Sequence, residues 1–293
     1  MRLRALAKIN LGLDILGKRP DGYHDVRMIM QTIQMYDVLD IRKKGEPGIS
    51  LSVNVPYVPA DERNLVYKAA KLLMDEFMIQ EGVAIRLEKF IPVAAGMAGG
   101  SSDAAAAFVG LNRLFRLNLT EKELMERAVK IGADVPYCIM RGTALAEGIG
   151  EKLTRLDPLP ACYVLVGKPG INVSTKMAYE NLNLSEIASH PDIDGMIEDI
   201  RRKDLYSMAA KMSNVFEPGI VRQYPVIRQI RELMEGNGAV RAMMSGSGPT
   251  VFGIFDSKDK MEGAAAVLRE SGLARTVFAT EIYNRNGGDT NDK

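Results

Sequence analysis

The segment Pro92-Val-Ala-Ala-Gly-Met-Ala-Gly-Gly-Ser-Ser-Asp103 most constrains what this chain can become. It joins a strand-like run, Val83 to Phe90, to an alanine-rich run, Ala104 to Leu114, with the composition of a helix. A glycine-rich turn that opens a helix leaves several backbone N–H groups unpartnered and aimed at one point, where the helix dipole adds partial positive charge. Gly96, Gly99 and Gly100 carry no Cβ to block a ligand, and Ser101 and Ser102 add hydroxyls. An ordinary capped helix needs one such serine, not three glycines and two serines. The expected occupant is a phosphate chain. The loop is not a Walker A sequence, because no Gly-Lys-Ser/Thr follows the glycines. It is neither a dinucleotide fingerprint nor a nucleophile elbow, because Gly-x-Gly-x-x-Gly and Gly-x-Ser-x-Gly are both missing.

Around this loop the chain reads as an α+β protein of two lobes. Residues 3–16, Val26 to Ile33, Val38 to Lys43 and Ile49 to Val55 have strand character, with the Pro- and Gly-rich turn Gly17 to Gly22 after the first. A helix is expected from Asn64, where Leu65, Ala69, Leu72, Leu73 and Phe77 recur at helical spacing. Thr120-Glu-Lys-Glu123 is a capping box opening another helix, with Gly132 as its stop. Pro158 and Pro160 mark the expected boundary, giving lobes at 1–157 and 158–284 and a polar, mobile tail at 285–293. In the second lobe, strands at Tyr163 to Val166, Val240 to Met244, Val251 to Phe255 and Val277 to Tyr283 alternate with helices at 174–183, 193–201, 204–213, 225–235 and 258–271. A second glycine-rich turn, Met244-Ser-Gly-Ser-Gly-Pro-Thr250, separates two of those strands.

Composition excludes several classes. A formal net charge of +1 over 293 residues, with no basic, aromatic-studded stripe, argues against nucleic acid and membrane surfaces as partners. No apolar run is long enough to span a bilayer. Cys138 and Cys162 form no Cys-x-x-Cys, and no signal peptide is evident, so a reducing, cytoplasmic setting is expected. Two histidines, His24 and His190, leave no multi-histidine metal centre.

The pattern Pro-x-x-x-Gly-Met-Ala-Gly-Gly-Ser-Ser resembles the second motif of the galactokinase, homoserine kinase, mevalonate kinase and phosphomevalonate kinase superfamily, with Met97 where leucine is usual. Met244 to Thr250 resembles its third motif. The opening segment Ala7-Lys-Ile-Asn-Leu-Gly-Leu-Asp-Ile-Leu-Gly-Lys-Arg-Pro-Asp-Gly-Tyr-His-Asp25 narrows this further. With Asn64-Leu65, Gly132-Ala-Asp-Val-Pro136, Lys168-Pro-Gly170 and Ser174-Thr175, it resembles the 4-diphosphocytidyl-2-C-methyl-D-erythritol kinase family. That resemblance implies a first lobe like ribosomal protein S5 domain 2 and a ferredoxin-like second lobe. It also implies ATP-dependent phosphorylation of the substrate 2-hydroxyl in the methylerythritol phosphate route to isoprenoids, with Mg2+ accompanying ATP.

Residue roles follow from the same resemblance. Lys8 and Asp134 match the catalytic pair; read alone, they are a solvated strand residue and a turn residue. Asn10, Tyr23, His24, Thr175 and Tyr179 match substrate contacts, with the two tyrosines about the cytosine. Pro92, Val93, Ala94, Ala95, Gly96, Met97, Ala98, Gly99, Gly100, Ser101 and Ser102 are expected to bind ATP, those from Gly96 on covering its phosphates, with Asn64 and Leu65 in the adenine pocket and Lys89 a nearby adenine or phosphate contact. No metal ligand is assigned. Asp103 is an option, and its other role is to favour the helix N-terminus. A different kinase of the superfamily, or a non-catalytic nucleotide-binding regulator, stays open as an alternative. Oligomeric state is not legible.

Overall fold

A computed structural model describes residues 1–184, 187 and 189–285. The first lobe is built on a long hairpin of β1 (Arg2–Lys18) and β2 (His24–Lys44), paired antiparallel from Arg2↔Asp40 to Lys18↔His24. The far edge of β2 carries β4 (Gly82–Glu88) at one end and β5 (Thr143–Gly148) at the other. β3 (Ile49–Val53) and β6 (Lys152–Arg155) complete this six-stranded sheet. The two strands expected over 26–43 are therefore one. No Gly or Pro interrupts Gln34-Met35-Tyr36-Asp37, and β1 follows β2 through register shifts at Leu6/Lys8, Asn10/Gly12 and Ile15/Gly17.

Those shifts decide which way β1 faces. Leu3, Ala5, Leu13 and Ile15 join the core beneath the first-lobe helices. Ala7, Ile9 and Leu11, lying between shifts, join a second core shared with the other lobe. A one-residue slip in pairing swaps the faces of a strand. Lys8 and Asn10 alternate with that second set and line a cleft.

Four helices cover the other face of this sheet: α1 (Leu65–Glu76), α2 (Gly99–Phe115), α3 (Glu121–Ala128) and α4 (Val135–Met140). Asn64 caps α1 by accepting the Val66 amide, and Thr120 with Glu123 forms the capping box of α3. α3 ends at Ala128, four residues before the expected stop. α4, six residues long with an early proline, is too short to show helical periodicity.

The second lobe holds a four-stranded antiparallel sheet ordered β10 (Thr276–Glu281), β7 (Tyr163–Lys168), β9 (Val251–Phe255), β8 (Arg241–Met244). Within the lobe this is the order 4-1-3-2 of a ferredoxin-like sandwich. Its helices are α5 (Thr175–Glu180), α6 (Ile193–Arg201), α7 (Leu205–Ala210), α8 (Glu217–Gln223), α9 (Val226–Gly236) and α10 (Lys258–Glu270). Side chains of α9 and α10 pack with Leu165, Val251 and Phe255 of the sheet. Val164, Val166, Phe252 and Ile254 turn instead to α6, α7 and the Ile9–Leu11 face of the first lobe. α8 and β6 escape sequence patterns because one opens Glu-Pro-Gly and the other is a short polar edge.

Of the expected tail only Arg285 lies within the described residues; its guanidinium reaches the Met140 carbonyl at 3.1 Å and the Glu121 carboxylate. Among the described residues no helix is long and apolar enough to cross a membrane. Phe252→Ala, in the shared core, is expected to cost about 3–5 kcal/mol. Differential scanning calorimetry should show one transition moving as a unit; two transitions with only one displaced would contradict a shared core.

Candidate active site

A cleft of about 1120 Å³ lies between the lobes, lined from both. Its floor is the glycine-rich segment. α2 begins at Gly99, five residues earlier than the alanine run suggests, because Gly99 to Asp103 are already helical. Ala94, Gly96 and Ala98 all take left-handed backbone, with φ of 52°, 72° and 54°. Left-handed residues at alternate positions turn successive amides toward one side. For the two alanines this costs about 1–2 kcal/mol each. Ala98 supplies no side-chain cap, and the amides of Gly99, Gly100 and Ser101 find no partner among the described residues. The N-terminus of a 17-residue helix thus opens into the cleft.

The second glycine-rich turn fixes this loop from the other lobe. Ser245 Oγ donates to the Gly96 carbonyl at 3.0 Å. A Cβ on Gly96 would press into the Ser245 carbonyl, so the two backbones meet directly. Gly99 is closely packed apart from any ligand: its Cβ would stand 3.1 Å from Ile91 Cγ2 and 3.2 Å from Lys89 Nζ. Gly100 has only Leu65 near it, at 3.7 Å.

Two residues of the expected phosphate set turn away. Ser102 Oγ donates to the Leu6 carbonyl at 2.6 Å, and its amide to Ala98, so neither reaches the cleft. Met97 is buried in the inter-lobe core, and its carbonyl accepts the Lys8 amide at 3.2 Å. Pro92, Val93, Ala94, Ala95, Gly96, Ala98, Gly99, Gly100 and Ser101 line the cleft. So do Asn64 and Leu65, although the Asn64 amide group is committed to Val66 N and the Pro59 carbonyl. Lys89 lines it too, but its ammonium is held between Asp37 and Asp103 rather than left open for a nucleotide.

Lys8 and Asp134 are brought together, with Lys8 Nζ 4.0 Å from Asp134 Oδ2. Lys8 is buried, and its ammonium donates to Asn10 Oδ1 at 2.7 Å. Asp134, just before α4, keeps 33% of its side chain exposed. His24 and Tyr179 form a ring pair with centroids 5.1 Å apart, and Phe216 meets the Tyr179 ring edge-on at 4.8 Å. Tyr23 stands 60% exposed at the rim. Burial, then Lys18, hold the His24 pKa below the usual value, so the ring is neutral at pH 7. Burial, with Asp134 adding to it, pushes the Tyr179 phenol up to about 12. Thr175 Oγ1 lies 2.9 Å from Ser247 Oγ. Phe216, Gly246 and Ser247 line the cleft without having been singled out as site residues. The second glycine turn was the available signal for the last two; nothing in sequence marked Phe216.

Sequence comparison fits this arrangement. The family model "GHMP kinases N terminal domain" matches residues 64–142 and "GHMP kinases C terminal" matches 196–273. The 4-diphosphocytidyl-2-C-methyl-D-erythritol kinases of Lachnospira eligens and Lachnoclostridium phytofermentans are 54% and 52% identical to the chain. These alignments cover 97% and 96% of it, and 98% and 97% of those proteins. The chain belongs to the 4-diphosphocytidyl-2-C-methyl-D-erythritol kinase family. A crystal structure of 4-(cytidine 5'-diphospho)-2C-methyl-D-erythritol kinase superposes with a TM-score of 0.83 at 31% identity, covering 97% of this chain and all, 100%, of that one. As a member of this kinase family the chain is an ATP-dependent phosphotransferase of the two-lobed α+β class.

The kinase's dependence on the loop-to-loop contact is testable. Gly96→Ala is expected to lower kcat/KM for ATP by roughly 10²-fold, as displaced positioning groups do. Gly263→Ala is the control, since nothing lies within 4 Å of a Cβ there. Steady-state kinetics showing equal values for both variants would refute the dependence.

Proposed function

We propose that this kinase transfers the γ-phosphoryl group of ATP to the 2-hydroxyl of 4-diphosphocytidyl-2-C-methyl-D-erythritol, a step of the methylerythritol phosphate route. The observation that carries the reading is the company kept by Lys8 and Asp134. The pair shares one cleft with the open N-terminus of α2 and with the rings of Tyr23, His24 and Tyr179. Phosphoryl transfer asks a protein mainly to position its reactants and to neutralise charge.

In this mechanism the amides of the 93–101 loop hold the triphosphate. Asp134 takes the proton of the substrate hydroxyl. The oxygen attacks the γ-phosphorus, the bond to the β-phosphate oxygen breaks, and ADP leaves. The Lys8 ammonium offsets charge developing on the transferred group. Asn10, which accepts from Lys8, aims that ammonium. The cytosine stacks on Tyr23 and Tyr179, and the neutral His24 ring can both donate to and accept from the base edge. Thr175 and Ser247 present paired hydroxyls to the remainder of the substrate.

Magnesium is expected to arrive with the nucleotide. Among the described residues no three acidic, His or Cys side chains gather into a metal cage. That suits an ion held largely by phosphate oxygens and water, where it supplies charge neutralisation.

Asp134→Asn is expected to lower kcat by roughly 10²–10⁴ while ATP still binds. Near-normal turnover in a coupled ADP-release assay would remove Asp134 from the role of base. Tyr23→Ala is expected to raise the KM of the cytidylyl substrate far more than that of ATP; equal changes would argue against stacking.

A further inference from the structure

Three charged side chains meet beneath the glycine-rich loop. Lys89, one residue past β4, directs its ammonium to Asp37 Oδ2 and, at 2.6 Å, to Asp103 Oδ2. All three are buried, with side-chain exposures of 5%, 0% and 4% for Lys89, Asp37 and Asp103. Asp37 comes from the middle of β2, in the stretch where sequence suggested a break between strands. Its second oxygen accepts the amides of Phe90 and, at 2.7 Å, Ile91. The Lys89 backbone is held as well, donating its amide to Asn54 Oδ1 at 2.8 Å.

Each member touches a different part of the loop's frame. Asp37 grips the entry, at residues 90–91. Asp103 sits in the second turn of α2, at the exit. Lys89 joins them, and its ammonium lies 3.2 Å from where a Cβ on Gly99 would stand. We infer that Asp37, Lys89 and Asp103 form a buried clamp that fixes the span between the two ends of the loop, with Asp37 as a positioning residue for ATP. The inference rests on the reading that this loop takes the nucleotide's phosphates.

The charge balance of the clamp fits that task. Asp37 accepts three N–H donors. Asp103 has Lys89 alone, and its Oδ1 finds no partner among the described residues. Burial first, opposed by Lys89 and reinforced by the charge of Asp37, pushes the Asp103 carboxyl well above the usual range. Burial works against the Lys89 charge, yet the two carboxylates outweigh it and raise its pKa. Lys89 thus sets a positive charge between the two acids, where an incoming triphosphate would otherwise meet them uncompensated. Asp103 commits its Oδ2 to the Lys89 ammonium, which sets it apart from the two roles that sequence suggested, magnesium ligand and partner of the helix dipole.

The test uses Asp37→Asn and a charge-free variant, Asp37→Asn with Lys89→Met and Asp103→Asn. Buried ion clusters are often replaceable by uncharged residues without loss of stability, so the second variant keeps the question open should the first fail to fold. ATP binding by calorimetry, both KM values and the melting temperature are measured. A clamp predicts that the ATP KM rises about 10–100-fold in the folded charge-free variant, while the KM of the alcohol substrate stays within about twofold. A cluster serving folding alone would move the melting temperature and leave both KM values unchanged, which overturns the proposal. Failure of the wild-type protein itself to bind ATP would instead overturn the underlying reading of the loop.

Discussion

The middle of β1 is buried from both sides, and the cleft depends on this. Ala7, Ile9 and Leu11 face the second-lobe sheet through Val164, Val166, Phe252 and Ile254. Between them Lys8 and Asn10 face the cleft with almost no exposure to water. An ammonium so placed would be costly without a partner. Asn10 Oδ1 at 2.7 Å and the Asp134 carboxylate at 4.0 Å meet that requirement. The apolar face thus fixes the lysine, the lysine faces the aspartate, and the contact of Gly96 with Ser245 fixes the loop beside them.

Much of the fold was legible because it obeys local rules. Asn64 and Thr120 start helices as their side-chain oxygens dictate, and the strand–glycine–helix order of 83–114 is visible in composition. What escaped is non-local. The register shifts that reverse β1 depend on its pairing with β2, not on its own alternation. The continuity of β2 depends on the same partner.

The candidate site divides in the same way. Motif resemblance brought Lys8, Asn10, Tyr23, His24, Asp134, Thr175 and Tyr179 to one cleft. It did not separate Ser101 from Ser102, because helical geometry turns the second toward the Leu6 carbonyl. Nor could it reveal Asp37, which reads as one more polar residue between hydrophobic neighbours. Its importance arises from amides 53 and 54 positions downstream.

The return of segment 282–285 to the first lobe has a consequence for assembly. Tyr283 donates its amide to the Thr32 carbonyl at 2.8 Å, Gln31 reaches the Tyr283 carbonyl at 3.0 Å, and Arg285 reaches the Met140 carbonyl at the end of α4. Gln31 and Tyr283 are 252 positions apart, so α4, whose start carries Asp134, receives its last bracket only after the second sheet has formed. The last described residues therefore close back upon the opening hairpin and brace the far end of α4, the helix that Asp134 precedes.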